Sequence, residues 1–146
     1  MDCTIETPRL LLRPWKASDL PLFAAINADE RVMEHFPRTL SQEESDAFAE
    51  RIVAEFKAFG WGLYAVELKS TASFIGYCGF HNFSFEAEFS PGVEIGWRLG
   101  HAHWHHGYAT EAALACLEYA RSKQLLDRVY SFTSTLNRSL YWRVHH

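Results

Sequence analysis

Several large classes of protein are excluded by what this sequence lacks. No apolar run in its 146 residues approaches the length of a membrane span. Met1 to Leu10 has no apolar core of the kind that marks a secretory signal. Cysteine is scarce: Cys3, Cys78 and Cys116 are odd in number, far apart, and form no C-x-x-C pair. A disulfide scaffold is thereby excluded, and a reducing cytoplasm is the expected compartment. Basic charge is not in excess, since the formal net charge is -4. Nucleic acid is therefore not the expected partner, and no membrane association is expected either. Neither G-x-G-x-x-G nor G-x-x-x-x-G-K-[ST] occurs, so the usual dinucleotide and nucleoside-triphosphate loops have no support.

Apolar residues make up 48% of the chain and charged residues 22%, a balance that folds around a core. Length, and the absence of any repeat, linker or low-complexity tract, predict one domain over 1–146. The pattern predicts a first strand over Arg9 to Trp15, ended by Pro14. Ser18 or Asp19 is then the expected cap of a helix carrying Leu22, Phe23 and Ile26. Ser41-Gln-Glu-Glu44 reads as a capping box, and the helix after it aligns Phe48, Ile52, Phe56 and Phe59. Strands follow at Leu63 to Leu68, Phe74 to Phe80 and Val93 to Leu99, with a turn over Lys69 to Ser73 and a polar loop over Ser84 to Gly92. Ala109, Ala112, Ala113, Cys116, Leu117 and Ala120 then fall at helical spacing, a small-residue stripe able to approach a sheet closely. A turn near Leu126-Asp127 leads to a last strand, Arg128 to Ser134. This order predicts a mixed α/β sheet, mostly antiparallel, with one right-handed strand–helix–strand crossover.

The chemistry concentrates where the third of these strands passes through a loop into the alanine-rich helix, Trp104-His-His-Gly-Tyr-Ala-Thr-Glu111. The first turn of a helix has unpaired N–H groups and the positive end of the macrodipole. A diphosphate placed there meets donors and a favourable field. Gly107 and Ala109 are small enough to let a bulky anion reach the backbone.

This segment resembles the GNAT acetyltransferase superfamily, in its RimJ/RimL-like branch of ribosomal-protein N-acetyltransferases. The superfamily's Gln/Arg-x-x-Gly-x-Gly/Ala signature maps onto Trp104, His105, His106, Gly107, Tyr108 and Ala109. Four further stretches are similar to that branch, in the right order: Thr7-Pro-Arg-Leu-Leu-Leu-Arg-Pro14, Glu94-Ile-Gly-Trp-Arg-Leu99, Gly107-Tyr-Ala-Thr-Glu-Ala112, and Asp127-Arg-Val with Ser131-Phe-Thr-Ser134. The resemblance implies an acyl-CoA N-acyltransferase fold. It also implies transfer of an acetyl group from acetyl-CoA to an amine, either a protein N-terminus or a small molecule. The diphosphate of acetyl-CoA would lie on the backbone of His105 to Thr110. Its pantetheine arm would pair with Trp97, Arg98 and Leu99. Asn137 matches the family's Asn near the thioester, and Ser139 a neighbouring cofactor contact.

Glu94, on the central strand with parity opposite to Val93, Ile95, Trp97 and Leu99, is the candidate base. The competing reading makes it a solvated or salt-bridged strand residue. His101, His103, His105 and His106 would share faces if extended, yet they fall in the phosphate loop with no carboxylate or Cys beside them, so no metal is expected. His105 stands where relatives carry Gly, and it is expected to crowd the loop. Past Asn137 the chain departs from the family: the spacing is Asn137-x-Ser139, followed by Leu140 to His146. The usual last helix and strand are expected to be lacking. Tyr141 is the candidate to replace the Tyr acid that relatives carry there. An unpaired edge on the last strand is expected to favour a homodimer. The alternative function is a catalytically impaired remnant of the same fold that binds acyl-CoA or a partner.

Overall fold

The computed structural model describes residues 4–83, 92–123, 128–133 and 138–143, with the backbone alone for 82, 83, 92 and the last two segments. Among these residues seven strands form one sheet in sequence order. They are β1 Ile5–Glu6, β2 Leu10–Arg13, β3 Leu63–Leu68, β4 Ser73–Phe83, β5 Gly92–Leu99, β6 Arg128–Thr133 and β7 Arg138–Arg143. Strands β1 to β5 are antiparallel, β5 and β6 are parallel, and β6 and β7 are antiparallel. The parallel pair is what a strand–helix–strand crossover requires.

Helices α1 Leu20–Ala28 and α2 Gln42–Phe59 cover one face, and α3 Tyr108–Lys123 covers the other. The capping box at Ser41 forms as its sequence predicts. Ser41 Oγ accepts the Glu44 N–H at 3.1 Å, and Glu44 Oε1 accepts the Ser41 N–H at 2.9 Å. Gly60 ends α2 at φ 78°, a left-handed position that costs a glycine little. Asp19 does precede α1, but its carboxylate does not cap the helix. It accepts two bonds from the Arg13 guanidinium, at 2.9 and 3.0 Å, and one from the Lys16 N–H at 2.8 Å. A buried carboxylate beside a buried cation satisfies that cation before it serves a helix end.

On the α3 face, Ala112, Cys116 and Ala120 are wholly buried against Leu10, Tyr64, Cys78 and Ile95. Small side chains allow that close approach. Both thiols are free and buried, and the contact with Cys78, together with burial, pushes the Cys116 thiol well up. On the other face Phe23, Ile52, Phe74 and Tyr77 form a second cluster. Phe59, expected on the buried stripe of α2, is 51% exposed and stacks on Trp61 at 5.2 Å.

Two other expectations change. The strand predicted from Arg9 starts at Leu10 and gains a short neighbour, β1, because Thr7 turns the chain back through its bonds with Leu10. The strand expected at Arg128 is not the sheet's edge. The segment from Arg138 forms β7 along it, pairing Val129 with Trp142 and Tyr130 with Tyr141. The loop over 84–91 and the turn at 124–127 lie outside the described residues.

Candidate functional site

Helix α3 begins with a row of unpaired donors. Glu111 N–H makes the first bond of the helix, to Gly107 O at 3.0 Å. Among the described residues the N–H groups of His105 to Thr110 have no acceptor. Six consecutive amides at the positive end of a 16-residue helix make a place for an anion. Gly107 sits at φ 80°, and a Cβ there would meet Arg9 Nη2 at 3.4 Å.

The loop is held from behind by the N-terminal segment. Glu111 accepts three bonds in that direction: from Thr7 Oγ1 at 2.6 Å, from the Arg9 N–H at 3.0 Å and from Arg9 Nε at 2.7 Å. Arg9 Nη1 donates to His106 O at 2.9 Å, and its guanidinium lies over the Tyr108 ring at 4.5 Å. Burial pushes the Glu111 carboxyl up, but the bonds from Thr7 and Arg9 outweigh it and hold the group below the usual range. This clamp therefore adds stability above the ordinary carboxylate pKa and loses it as pH falls through the lowered value.

A groove of about 410 Å³ runs from this loop to β5, lined by Trp97, Leu99, Trp104, His105, Gly107 and Ala109 among others. Its size is in the range of small-molecule sites, roughly 300–1,000 Å³. One wall is the edge of β5. The parallel strands are bridged at Glu94 and Tyr130, and the described residues register no pair beyond it. Among the described residues none pairs with β5 on its β6 side from Ile95 to Leu99, a stretch of backbone that an extended ligand could meet. Trp97, 45% exposed, faces the groove, while the Trp104 indole N–H is tied to Leu99 O at 3.0 Å.

On the opposite face of β5 lies Glu94, half-buried, in register with His81 on β4. Burial pushes its carboxyl up, and the nearby His81 partly offsets this. His81 Nδ1 is 3.5 Å from Glu55 Oε2 on α2, without hydrogen-bond geometry. The backbone register continues the row from Glu94 to Tyr130 and then to Tyr141.

The acetyltransferase (GNAT) domain profile matches residues 9–140. The chain belongs to the GNAT acetyltransferase family. An uncharacterized N-acetyltransferase of Bacillus subtilis, YnaD, is 30% identical over 125 residues, spanning 86% of this chain and 69% of that protein. The crystal structure of an acetyltransferase from Agrobacterium tumefaciens superposes with a TM-score of 0.78 at 29% identity, over 92% of this chain and 76% of its own. RimL, a ribosomal L7/L12 alpha-N-protein acetyltransferase solved in complex with coenzyme A, shares the fold. Its TM-score is 0.69 at 16% identity, over 88% of this chain and 73% of its own. The protein is thus an acyltransferase of a family that uses acetyl-CoA.

The GNAT fold brings most of the sequence candidates together. Trp97, Arg98, Leu99, Trp104, His105, Gly107, Tyr108, Ala109 and Thr110 all border the groove. His106 is in the loop, but its ring stacks on Tyr108 at 5.4 Å and its carbonyl is taken by Arg9. Arg98 lines the groove yet is 8% exposed, and its guanidinium bonds Asn27 on α1. Ser139 and Tyr141 are placed on β7, two strands from β5 and so roughly 10 Å away. Asn137 lies outside the described residues. The histidine run is not extended: His101–His103 is a 3-10 turn. Among the described residues no three potential ligands gather as a metal would need.

Two positioning residues, Arg9 and Glu111, escape a reading based on the loop alone. Their signal was present, since both sit in family-like stretches at opposite ends of the chain. Arg9→Ala removes the clamp from Glu111 and the His106 carbonyl. The pair is half-exposed, with Arg9 at 46%, so stability should fall by no more than about 1 kcal/mol. The expected result is an acetyl-CoA KM raised about tenfold with kcat little changed, read by steady-state kinetics.

His105 adopts φ 65°, a left-handed conformation that glycine takes without strain. Substitution to Gly relieves about 1–2 kcal/mol of strain and costs about 0.5–1 kcal/mol in backbone entropy. His105→Gly should therefore hold or slightly raise the melting temperature. It should also tighten acetyl-CoA binding about threefold or more, because the ring leaves the groove. Melting curves and calorimetry of the variant check both.

Proposed function

We propose that this protein transfers the acetyl group of acetyl-CoA to a primary amine, either a protein N-terminus or a small molecule. The observation that carries the reading is the run of acceptor-free amides from His105 to Thr110 at the head of α3. Those amides, with Gly107 at their centre, suit a diphosphate. The open edge of β5 suits the pantetheine arm, with Trp97 to Leu99 supplying backbone partners. Asn137 and Ser139 would contact the same arm. When bound, acetyl-CoA supplies the activated acyl group as a thioester.

The residues of this chain orient the reactants and move protons. Glu94, its carboxyl raised by burial, takes the proton of the attacking amine, directly or through water. Tyr141, which the family resemblance offers as the acid, would return a proton to the leaving thiolate. Holding the two substrates at the opened strand pair supplies much of the acceleration. The free thiols of Cys78 and Cys116 support a reducing, cytoplasmic setting. Among the described residues β7 is the last strand of the sheet, and its outer edge is where a second copy would pair.

His105, strained and at the groove, supports a second reading, an impaired acyl-CoA binder. One assay separates them: thiol release from acetyl-CoA with a panel of primary amines. Amine-dependent release supports transfer. Tight coenzyme binding with no release above the amine-free rate supports the impaired binder instead.

A further inference from the structure

The acceptor's chemistry is written on the other side of β5. A second cavity, about 440 Å³, opens between α2 and the segment after α1, and its lining includes Arg38, Arg51, Arg98, Phe36, Phe48 and Glu44. Arg98 and Phe36 border both this cavity and the coenzyme groove, so the two spaces adjoin.

The charges in this cavity do not balance. Arg38 is paired with Glu44. Arg51 and Arg98 have no carboxylate partner among the described residues. Arg98 is the more telling of the two, because it is 8% exposed. Its Nη1 donates to Asn27 Oδ1 at 2.7 Å, and Asn27 is fixed in turn by Ser45 at 2.9 Å. Its Nε is buried with no acceptor. The guanidinium is boxed by the rings of Phe36, Phe48 and Tyr77 at 4.5, 5.6 and 5.3 Å. Aromatic faces soften the cost of a buried cation but do not satisfy its N–H donors. A charge kept this far from water, with a donor free, is built to receive an anion. Planar, rigid donors suit a carboxylate in particular.

We propose that this cavity binds the carboxylate of the acceptor, with Arg98 at its floor and Arg51 at its rim, so that the preferred substrate is an amine carrying a carboxylate several bonds from its nitrogen. The inference rests on the acetyl-transfer reading and narrows it. The spacing follows from the strand. Glu94 and Arg98 share a face of β5 four residues apart, roughly 13 Å along the backbone. Hydrogen bonds at the two ends of the acceptor, about 3 Å each, span part of that length. A simple α-amino acid, with amine and carboxylate on one carbon, is too short to reach both. A ω-amino acid, or a peptide N-terminus followed by an acidic residue, is long enough.

The test uses matched acceptors with acetyl-CoA and the full chain. One pair is 6-aminohexanoate and 6-aminohexanamide; the other is the peptide amides Ala-Glu-Ala and Ala-Gln-Ala. The expected result is kcat/KM at least tenfold higher for the carboxylate member of one pair or both. The better pair tells whether the carboxylate comes from a small molecule or a peptide. Arg98→Gln should bring that ratio close to one, and Arg98→Lys should restore part of it. Because Arg98 also braces α1, Arg51→Gln at the exposed rim provides a second reading, with a smaller fall in the ratio. A wild-type ratio near one, with both members acetylated, overturns the proposal and leaves acetyl transfer standing. No thiol release above the amine-free rate with any acceptor, or no binding of acetyl-CoA, overturns both.

Discussion

Gly107→Glu is expected to abolish acetyl-CoA binding, with at least a hundredfold loss of affinity by calorimetry. Three effects act together. The residue sits at φ 80°, where any side chain is strained, by about 1–2 kcal/mol. The new carboxylate stands among the amides that would otherwise face a diphosphate, and like charges at such range repel. A Cβ at this position also touches Arg9 Nη2, at 3.4 Å, so the longer side chain is packed against the clamp behind the loop. None of this should unfold the protein, since the strain is small beside a stability of about 5–15 kcal/mol. An unchanged circular dichroism spectrum with binding lost is the expected pair of results. Gly107→Ala separates charge from strain, and its loss should be much the smaller. Binding by Gly107→Glu at wild-type strength would place the diphosphate elsewhere.

Glu94→Gln is expected to lower kcat about 10²- to 10⁴-fold while leaving the acetyl-CoA affinity within about twofold. The carboxylate lies on the α2 face of β5, away from the coenzyme groove, so losing it removes a base and not a binding contact. The wild-type rate should rise with pH through a value above the ordinary carboxylate range, because burial raises this group and the ionised form is the active one. Stability should run the other way. A carboxyl whose pKa is raised in the fold favours folding in its neutral form, and that contribution is lost as pH rises through the raised value. Glu94→Gln should therefore melt higher than wild type at neutral pH, while being almost inactive. A variant with full activity, or one that melts lower, would contradict the role of Glu94 as a buried base. A melting point that falls together with the activity would mark it as a structural residue.

The elements legible in the sequence are those where local chemistry and global packing agree. The capping box at Ser41 and the small-residue stripe of α3 each have a local cause, and each is where its pattern puts it. The loop that opens α3 was legible for the same reason: Gly107, then Ala109, at the start of a helical pattern. What stayed hidden depends on distant partners. Asp19 looks like a helix cap, but Arg13 is close in space and takes it. Arg98 looks like one more residue of a coenzyme-binding strand. Its guanidinium crosses to the other face because Asn27 on α1 and three aromatic rings receive it. Arg9 and Glu111 are 102 residues apart, so nothing local links them. The case of β7 is different. Ser139 to Arg143 alternates apolar and polar residues as a strand should, and the family's Asn-x-x-Ser spacing, not the residues themselves, suggested its loss.

Everything proposed for this protein depends on whether the head of α3 grips a diphosphate through its main chain. Backbone amide shifts, recorded on nitrogen-15-labelled protein as coenzyme A is added, report that contact residue by residue. The expected result is a saturable set of perturbations centred on His105 to Thr110, with a second, weaker set along Trp97 to Leu99. Saturable binding that leaves the amides of His105 to Thr110 unmoved would contradict it.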